Sequence, residues 1–264
     1  MIDLHCHVLP GIDDGPSSWE ESVALVRACG AGGVAQIAAT PHVSAQYPND
    51  SRVIGGLVEQ LNERLAAAGV DVEVLPGAEV AITQLDELAA GELERLVLGG
   101  GSGGWLLLES PFTPAINVVV PVCERLLERG FSLLLAHPER CPGFHRRPEL
   151  LRALTDRGVI TSVTAGALSG QFGREVERFA LWMAAEGLLD TVASDAHDLH
   201  RRPPGLLAPL ERAGLAAHVE QLTRSVPAAL LAGEEPQRPG VLRAEAKPGV
   251  RRRWGLRRDR PEAR

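Results

Sequence analysis

The chain has 264 residues, 45% of them hydrophobic, with 27 Lys+Arg against 34 Asp+Glu and a formal charge of −7. That length and apolar share support one large α/β domain or two small ones and exclude global disorder. No apolar run approaches the roughly 18 residues of a membrane span, and no basic region followed by an apolar stretch opens the chain.

A cytosolic protein without membrane insertion is therefore expected. The four cysteines show no paired spacing and read as reduced thiols. Charge is unevenly spread: residues 236–264 hold ten Lys+Arg against three Asp+Glu, which makes that stretch +7 and leaves −14 for residues 1–235. The acidic body argues against nucleic-acid binding as the main activity. The basic Pro- and Arg-rich tail, 233–264, has no apolar period and is expected to be disordered.

In chain order, short apolar runs alternate with amphipathic stretches of helical length. Seven strands are predicted at 2–8, 35–40, 72–75, 105–109, 132–136, 159–164 and 191–194. Helices are predicted at 17–31, 52–68, 84–96, 117–129, 148–157, 173–186 and 205–213, with a last one at about 217–231. The first carries a double capping signal, Ser17 before Glu20 and Ser18 before Glu21. Runs such as Leu106-Leu107-Leu108 and Leu133-Leu134-Leu135 suit parallel strands covered on both faces. A closed or nearly closed βα barrel follows, because the loop after the first strand, Val8 to Gly15, is not the Gly-rich phosphate loop of a doubly wound sheet. The Gly-rich run 99–104 reads as a connector at the face opposite the strand C-termini.

Metal-competent side chains fall at nearly every strand end. His5 and His7 lie on the first strand with Asp14 just beyond, His42 ends the second, Glu79 follows the third, and Glu109 ends the fourth. His137 follows the fifth, and Asp195 and His197 follow the seventh. In a βα barrel these positions converge on the C-terminal mouth. Residues i and i+2 share a strand face, so His5 and His7 are able to grip one ion while Cys6 faces packing. His145, His200 and His218 read as surface residues.

Imidazoles mixed with carboxylates, without thiolates, exclude structural zinc and sites built for Ca²⁺ or Mg²⁺ alone. Nine such residues exceed the needs of one ion, so two or three divalent ions are implied, with Glu79 and Asp195 as candidate bridges. Mn²⁺ is favoured by the oxygen content, with Fe²⁺ and Zn²⁺ as alternatives. Such a cluster activates water for hydrolysis and neutralises charge on a phosphoryl group. Arg140, just past His137, is the candidate phosphate fork; its bland alternative is a salt bridge to Glu139. Arg201 and Arg202 are further substrate-binding candidates. A cysteine phosphatase is the competing reading, since five residues separate Cys141 from Arg147. The same spacing joins Cys123 to Arg129 inside a predicted helix, and Pro142 removes an N–H that should cradle phosphate.

Five segments together carry a family resemblance. They are His5-Cys6-His7-Val8-Leu9-Pro10-Gly11-Ile12-Asp13-Asp14-Gly15-Pro16, Ala39-Thr40-Pro41-His42, Pro76-Gly77-Ala78-Glu79, Ala136-His137-Pro138-Glu139-Arg140 and Ala193-Ser194-Asp195-Ala196-His197. They resemble the PHP (polymerase and histidinol phosphatase) superfamily. Within it the chain is most similar to the CpsB/CapC-type, YwqE-like bacterial protein-tyrosine phosphatases. The opening block and the run from Thr164 to Gly173 are specific to that branch, and the likeness covers about residues 1–232.

The resemblance implies a distorted (β/α)7 TIM-like PHP barrel with a three-metal, usually manganese-activated site. It implies a substrate in the phosphotyrosine tail of a membrane-associated bacterial tyrosine kinase of capsule or exopolysaccharide export. Carried over position by position, the ligands are His5, His7, Asp14, His42, Glu79, Glu109, His137, Asp195 and His197. Arg140 holds phosphate, and His42 and Asp14 join it in catalysis. Ser110 departs from the aromatic residue common after the fourth-strand ligand. A histidinol-phosphatase-type enzyme and a non-catalytic metal-stabilised regulatory module are the competing functions, and the reading allows an oligomer.

Overall fold

Alternating strands and helices run through the computed structural model, which describes residues 1–100, 103–113 and 116–245. The strands are β1 (Ile2–Cys6), β2 (Gln36–Ala39), β3 (His42–Val43), β4 (Glu73–Pro76), β5 (Glu79–Ala81), β6 (Trp105–Glu109), β7 (Ser132–Ala136), β8 (Ile160–Thr164) and β9 (Thr191–Ala193). All pair in parallel, in two sheets of order β1-β2-β4 and β3-β5-β6-β7-β8-β9.

Beyond each of the predicted strands 35–40 and 72–75, the structure adds a further short strand that the sequence reading does not predict. Pro41 has no N–H to extend the β2 ladder, and the chain resumes as β3; β4 stops at Pro76 and resumes as β5 beyond Gly77-Ala78. Because β3 continues β2 and β5 continues β4, the strand sequence around the fold is the one a seven-stranded barrel requires. A parallel bridge between Cys6 and Ala196 joins the first strand to the segment after the last, with His7 N–H on Ala196 O and Asp195 N–H on His5 O, both at 2.9 Å. The breaks matter for the site, since β3 and β5 set His42 directly opposite Glu79.

Strand alternation divides the core into two layers. Leu4, Ala38, Trp105, Leu107, Leu134, Ala136 and Ile160 form an inner plug with Val226 and Leu230, while Leu106, Leu108, Leu133 and Leu135 pack outward with the helices. Trp105 also donates its indole N–H to Glu234 O at 3.2 Å. The end of the ring opposite the strand C-termini is thus filled, and chemistry is confined to the other mouth.

The helices are α1 (Trp19–Ala31), α2 (Ser51–Ala67), α3 (Val119–Glu128), α4 (Pro142–Arg146), α5 (Pro148–Thr155), α6 (Arg174–Ala185), α7 (Leu207–Ala213) and α8 (Val226–Leu231). The cap of α1 is Ser18, which accepts from Glu21 N–H; the Glu21 carboxylate reaches back to the N–H and hydroxyl of Ser17 at 2.7 and 2.9 Å, so the two predicted boxes are one. The helix predicted at 84–96 does not form. Short 3₁₀ turns at Ile82–Glu87, Leu93–Arg95 and Leu98–Gly100 replace it, because Leu88 is extended and Gly91 adopts φ 76°. The predicted last helix is likewise interrupted by a π turn, Gln221–Ser225, which ends two residues before Pro227, a residue without the N–H needed to continue an α ladder.

The tail expected from residue 233 does not begin there. Arg238 forks onto buried Asp190, its Nε and Nη2 each 2.8 Å from a carboxylate oxygen, and its Nη1 reaches Thr155 O at 2.8 Å. Leu242 is buried, and its N–H donates to Ala184 O at 2.9 Å. Composition alone hid this, because one bidentate pair and one buried leucine are enough to bind a Pro-rich strap. The remainder of the predicted tail, 246–264, and part of the Gly-rich run, Gly101 and Ser102, lie outside the described residues.

Candidate metal centre

Three backbone departures aim the ligands. In β1, Ile2 and Leu4 belong to the inner plug while Cys6 and Val8 pack outward, a reversal produced by the register shift between Asp3 and Cys6. That bulge turns His5 and His7 into the mouth. His137 follows Leu133 and Leu135, whose parity is outward, and its left-handed φ of 33° redirects the ring inward. Asp195, with φ 52°, is the other non-glycine residue at positive φ among those described. Both strained positions carry candidate ligands, as expected where function over-determines the backbone.

The nine predicted ligands all meet. Ligand atoms lie within 4.8 Å of one another in four overlapping groups: His7, Asp14, His42 and His197; His5, Glu79 and His137; His5, His7 and Asp195; and His42, Glu79 and Glu109. Glu79 is the hub. Its Oε1 lies 2.6 Å from His137 Nε2, and its Oε2 lies 3.0 Å from His42 Nδ1, 3.2 Å from His5 Nε2 and 3.5 Å from His7 Nε2. The His5 and His7 Nε2 atoms face each other at 3.2 Å.

This donor set fits divalent cations. Burial works to raise the Glu79 carboxyl, yet the surrounding imidazoles of His5, His137 and His42 hold it well below the usual carboxylate range. Burial, reinforced by the Glu79 carboxylate, pushes Glu109 up to about 7. A buried carboxylate pair under such strain is what bound cations relieve.

Neighbours fix the tautomers. His7 donates its Nδ1 proton to Asp13 Oδ2 at 2.7 Å, and His197 donates its own to Asp195 O at 3.0 Å, leaving each Nε2 toward the centre. Asp13 also accepts from Gly15 and His42 backbone N–H groups, and Gly15 must lack a side chain because a Cβ there would lie 2.9 Å from His7 O. The sequence reading names no role for Asp13; its position one residue before the candidate ligand Asp14 is the available signal. Asp13→Asn is expected to lower metal affinity or turnover 10–100-fold with the fold retained, measured by metal titration and far-UV circular dichroism. Asp3 was also overlooked: fully buried, it accepts from Ser194 N–H at 3.0 Å and ties β1 to the end of β9. A carboxylate within the apolar run Ile2 to Cys6 was its signal.

The arginines divide. Arg140 places Nη1 2.6 Å from Asp195 Oδ2, so its partner is a candidate ligand and not Glu139. Arg202 bonds Asp195 Oδ2 and His197 Nε2, the latter at 2.7 Å, and lies 3.8 Å from Asp14. Arg201 is exposed, its backbone N–H on Asp198 Oδ1 at 2.5 Å, and does not join the cluster; the turn made by Asp198 sends only the second arginine inward. His145, expected at the surface, is half-buried and donates to Glu139 O at 2.6 Å, fixing the turn that carries Arg140. The cysteine alternative finds no loop: Cys141 is fully buried with its thiol pushed up by burial, and Arg147 is exposed on Asn117.

Glu139 is fully buried, its Oε1 accepts Thr164 N–H at 3.0 Å, and burial pushes its carboxyl up to about 7. A carboxyl raised in this way contributes stability that is complete below its unfolded value and lost as pH rises through the folded one. In chelated protein, Glu139→Gln is therefore expected to gain up to about 3 kcal/mol on the parent between pH 4.5 and 8.5, read from urea unfolding.

The tyrosine-protein phosphatase YwqE of Bacillus subtilis (strain 168) is 34% identical over 203 residues, covering 76% of this chain and 79% of that protein. The tyrosine-protein phosphatase CpsB of Streptococcus pneumoniae is 27% identical over 212 residues, covering 77% of this chain and 86% of that protein. A solved structure described as YwqE from Bacillus subtilis and CpsB from Streptococcus pneumoniae, unique metal-dependent tyrosine phosphatases, matches with TM-score 0.79 and 29% identity over 93% of this chain and 100% of that chain. Residues 1–231 match the model of a family described as capsular polysaccharide synthesis, CpsB/CapC, and the chain belongs to that family.

Proposed function

We propose that the chain is a metal-dependent phosphatase of protein phosphotyrosine, acting in the cytosol on the phosphorylated tail of a tyrosine kinase of capsule or exopolysaccharide export. The observation that carries this reading is the convergence of nine His, Asp and Glu side chains able to hold a cation, together with Arg140, on one mouth. Its four cysteines are free and buried, in keeping with a reducing compartment. Among the described residues no helix is long and apolar enough to cross a membrane.

His5, His7, Asp14, His42, Glu79, Glu109, His137, Asp195 and His197 would hold two or three divalent ions, Mn²⁺ by preference. When bound, the ions supply an activated water and offset the charge of the phosphoryl group. Arg140 offers paired N–H donors to two phosphoryl oxygens, and Arg202 adds positive charge beside it. These cations counter an otherwise acidic surface that must accept an acidic phosphopeptide. Asp14 and His42 keep 45% and 16% of their side chains exposed, which would let them meet an entering substrate. Phenoxide, with a parent pKa near 10, departs with less protonation than a serine alkoxide, which lowers the demand on a general acid.

The test compares hydrolysis of a phosphotyrosine peptide, histidinol phosphate and p-nitrophenyl phosphate before and after EDTA. The reading expects preference for the peptide, loss of all activity on chelation, and full activity in Cys141→Ser. Preference for histidinol phosphate would move the assignment to a small-molecule phosphatase. Activity that survives chelation would reject the mechanism.

A further inference from the structure

Aromatic residues make up 4% of the chain, and the position after Glu109, Ser110, brings none to the mouth. Two residues later the structure supplies one. The Phe112 ring stacks on His137 with centroids 5.0 Å apart and planes at 20°, and the Arg140 guanidinium carbon lies 4.6 Å over it. The same carbon lies 4.5 Å from the centroid of Phe172. The cation that meets phosphate is therefore flanked by two phenyl rings.

The two rings differ in what remains accessible. Phe112 is 47% exposed, whereas Phe172 is half-buried against the core. A guanidinium stacked on rings keeps its N–H donors free, since they lie in its own plane, and loses rotational freedom that it would otherwise surrender on binding. The aryl group of a phosphate ester is separated from the phosphorus by a single bridging oxygen. A ring packed against the phosphate-binding guanidinium therefore lies within reach of that aryl group, and it has uncovered surface to offer.

We infer that Phe112 is the specificity-determining wall for the aromatic ring of the substrate, and that Phe172 is a positioning residue that acts through Arg140. The inference rests on the phosphatase reading and extends it by naming the residue that separates aryl from alkyl phosphates. An aromatic pair adds attraction beyond simple area burial, enough for a preference of about tenfold.

Binding to the metal-loaded chain, followed by calorimetry, separates the two roles. The probes are phenylphosphonate, methylphosphonate and inorganic phosphate. The parent is expected to prefer phenylphosphonate over methylphosphonate about tenfold. Phe112→Ala should bring that ratio near one, weakening phenylphosphonate about tenfold more than it weakens inorganic phosphate, and Phe112→Tyr should keep the ratio. Phe172→Ala should weaken all three probes together and preserve the ratio. An unchanged ratio in Phe112→Ala, or equal weakening of phosphate and phenylphosphonate in it, overturns the inference. If the parent binds all three without preference, the inference alone fails. If it binds none, the phosphatase reading fails and the inference with it.

Discussion

Glu79→Gln is expected to strip at least one ion from each chain and to lower phosphotyrosine turnover by about three orders of magnitude or more. Glu79 is 1% exposed and stands within 3.5 Å of ring nitrogens from His5, His7, His42 and His137. An amide of the same shape brings neither the negative charge nor a second acceptor oxygen, and its NH₂ faces groups that should be binding a cation. Four imidazoles would then surround a neutral group, so metal affinity falls at two of the overlapping ligand groups at once. Elemental analysis beside phosphate release measures both effects. A substituted chain with its full metal complement and parental turnover would remove Glu79 from the centre.

Arg140→Ala is expected to reduce kcat/KM for aryl phosphates by about 10²–10³ while metal content is unchanged. The residue touches no ion in the proposed arrangement. Its Nη1 holds Asp195 at 2.6 Å, and its other N–H groups are oriented to meet phosphoryl oxygens in the proposed arrangement. Arg140→Lys should recover only part of the loss, because an ammonium delivers charge without a bidentate plane. Steady-state kinetics with parallel metal analysis distinguishes this from a ligand defect. Loss of metal in Arg140→Ala would recast the residue as a support for Asp195.

Much of this centre was legible because its residue types are local and repetitive: a His, Asp or Glu at each strand end declares itself without any knowledge of packing. What was not legible depends on backbone irregularity. The bulge between Asp3 and Cys6 decides which parity of β1 faces the mouth, and nothing in Asp3-Leu4-His5 announces it. Likewise, the left-handed turn at His137 and the strand breaks at Pro41 and Gly77 are local exceptions to the rules that place side chains. Asp13 and His145 escaped because their task is to hold another residue, and such partners are found only by proximity in space. The failed helix at 84–96 shows the opposite error, a plausible apolar spacing overridden by Gly91 and by tertiary demands.

Titrating metal-stripped protein with Mn²⁺ while following release of phosphate from a phosphotyrosine peptide tests the account most directly. Activity should be absent at zero ion and should plateau between two and three ions per chain, the number that nine shared ligands accommodate. Full turnover in the stripped chain, or a plateau below one ion per chain, would contradict it.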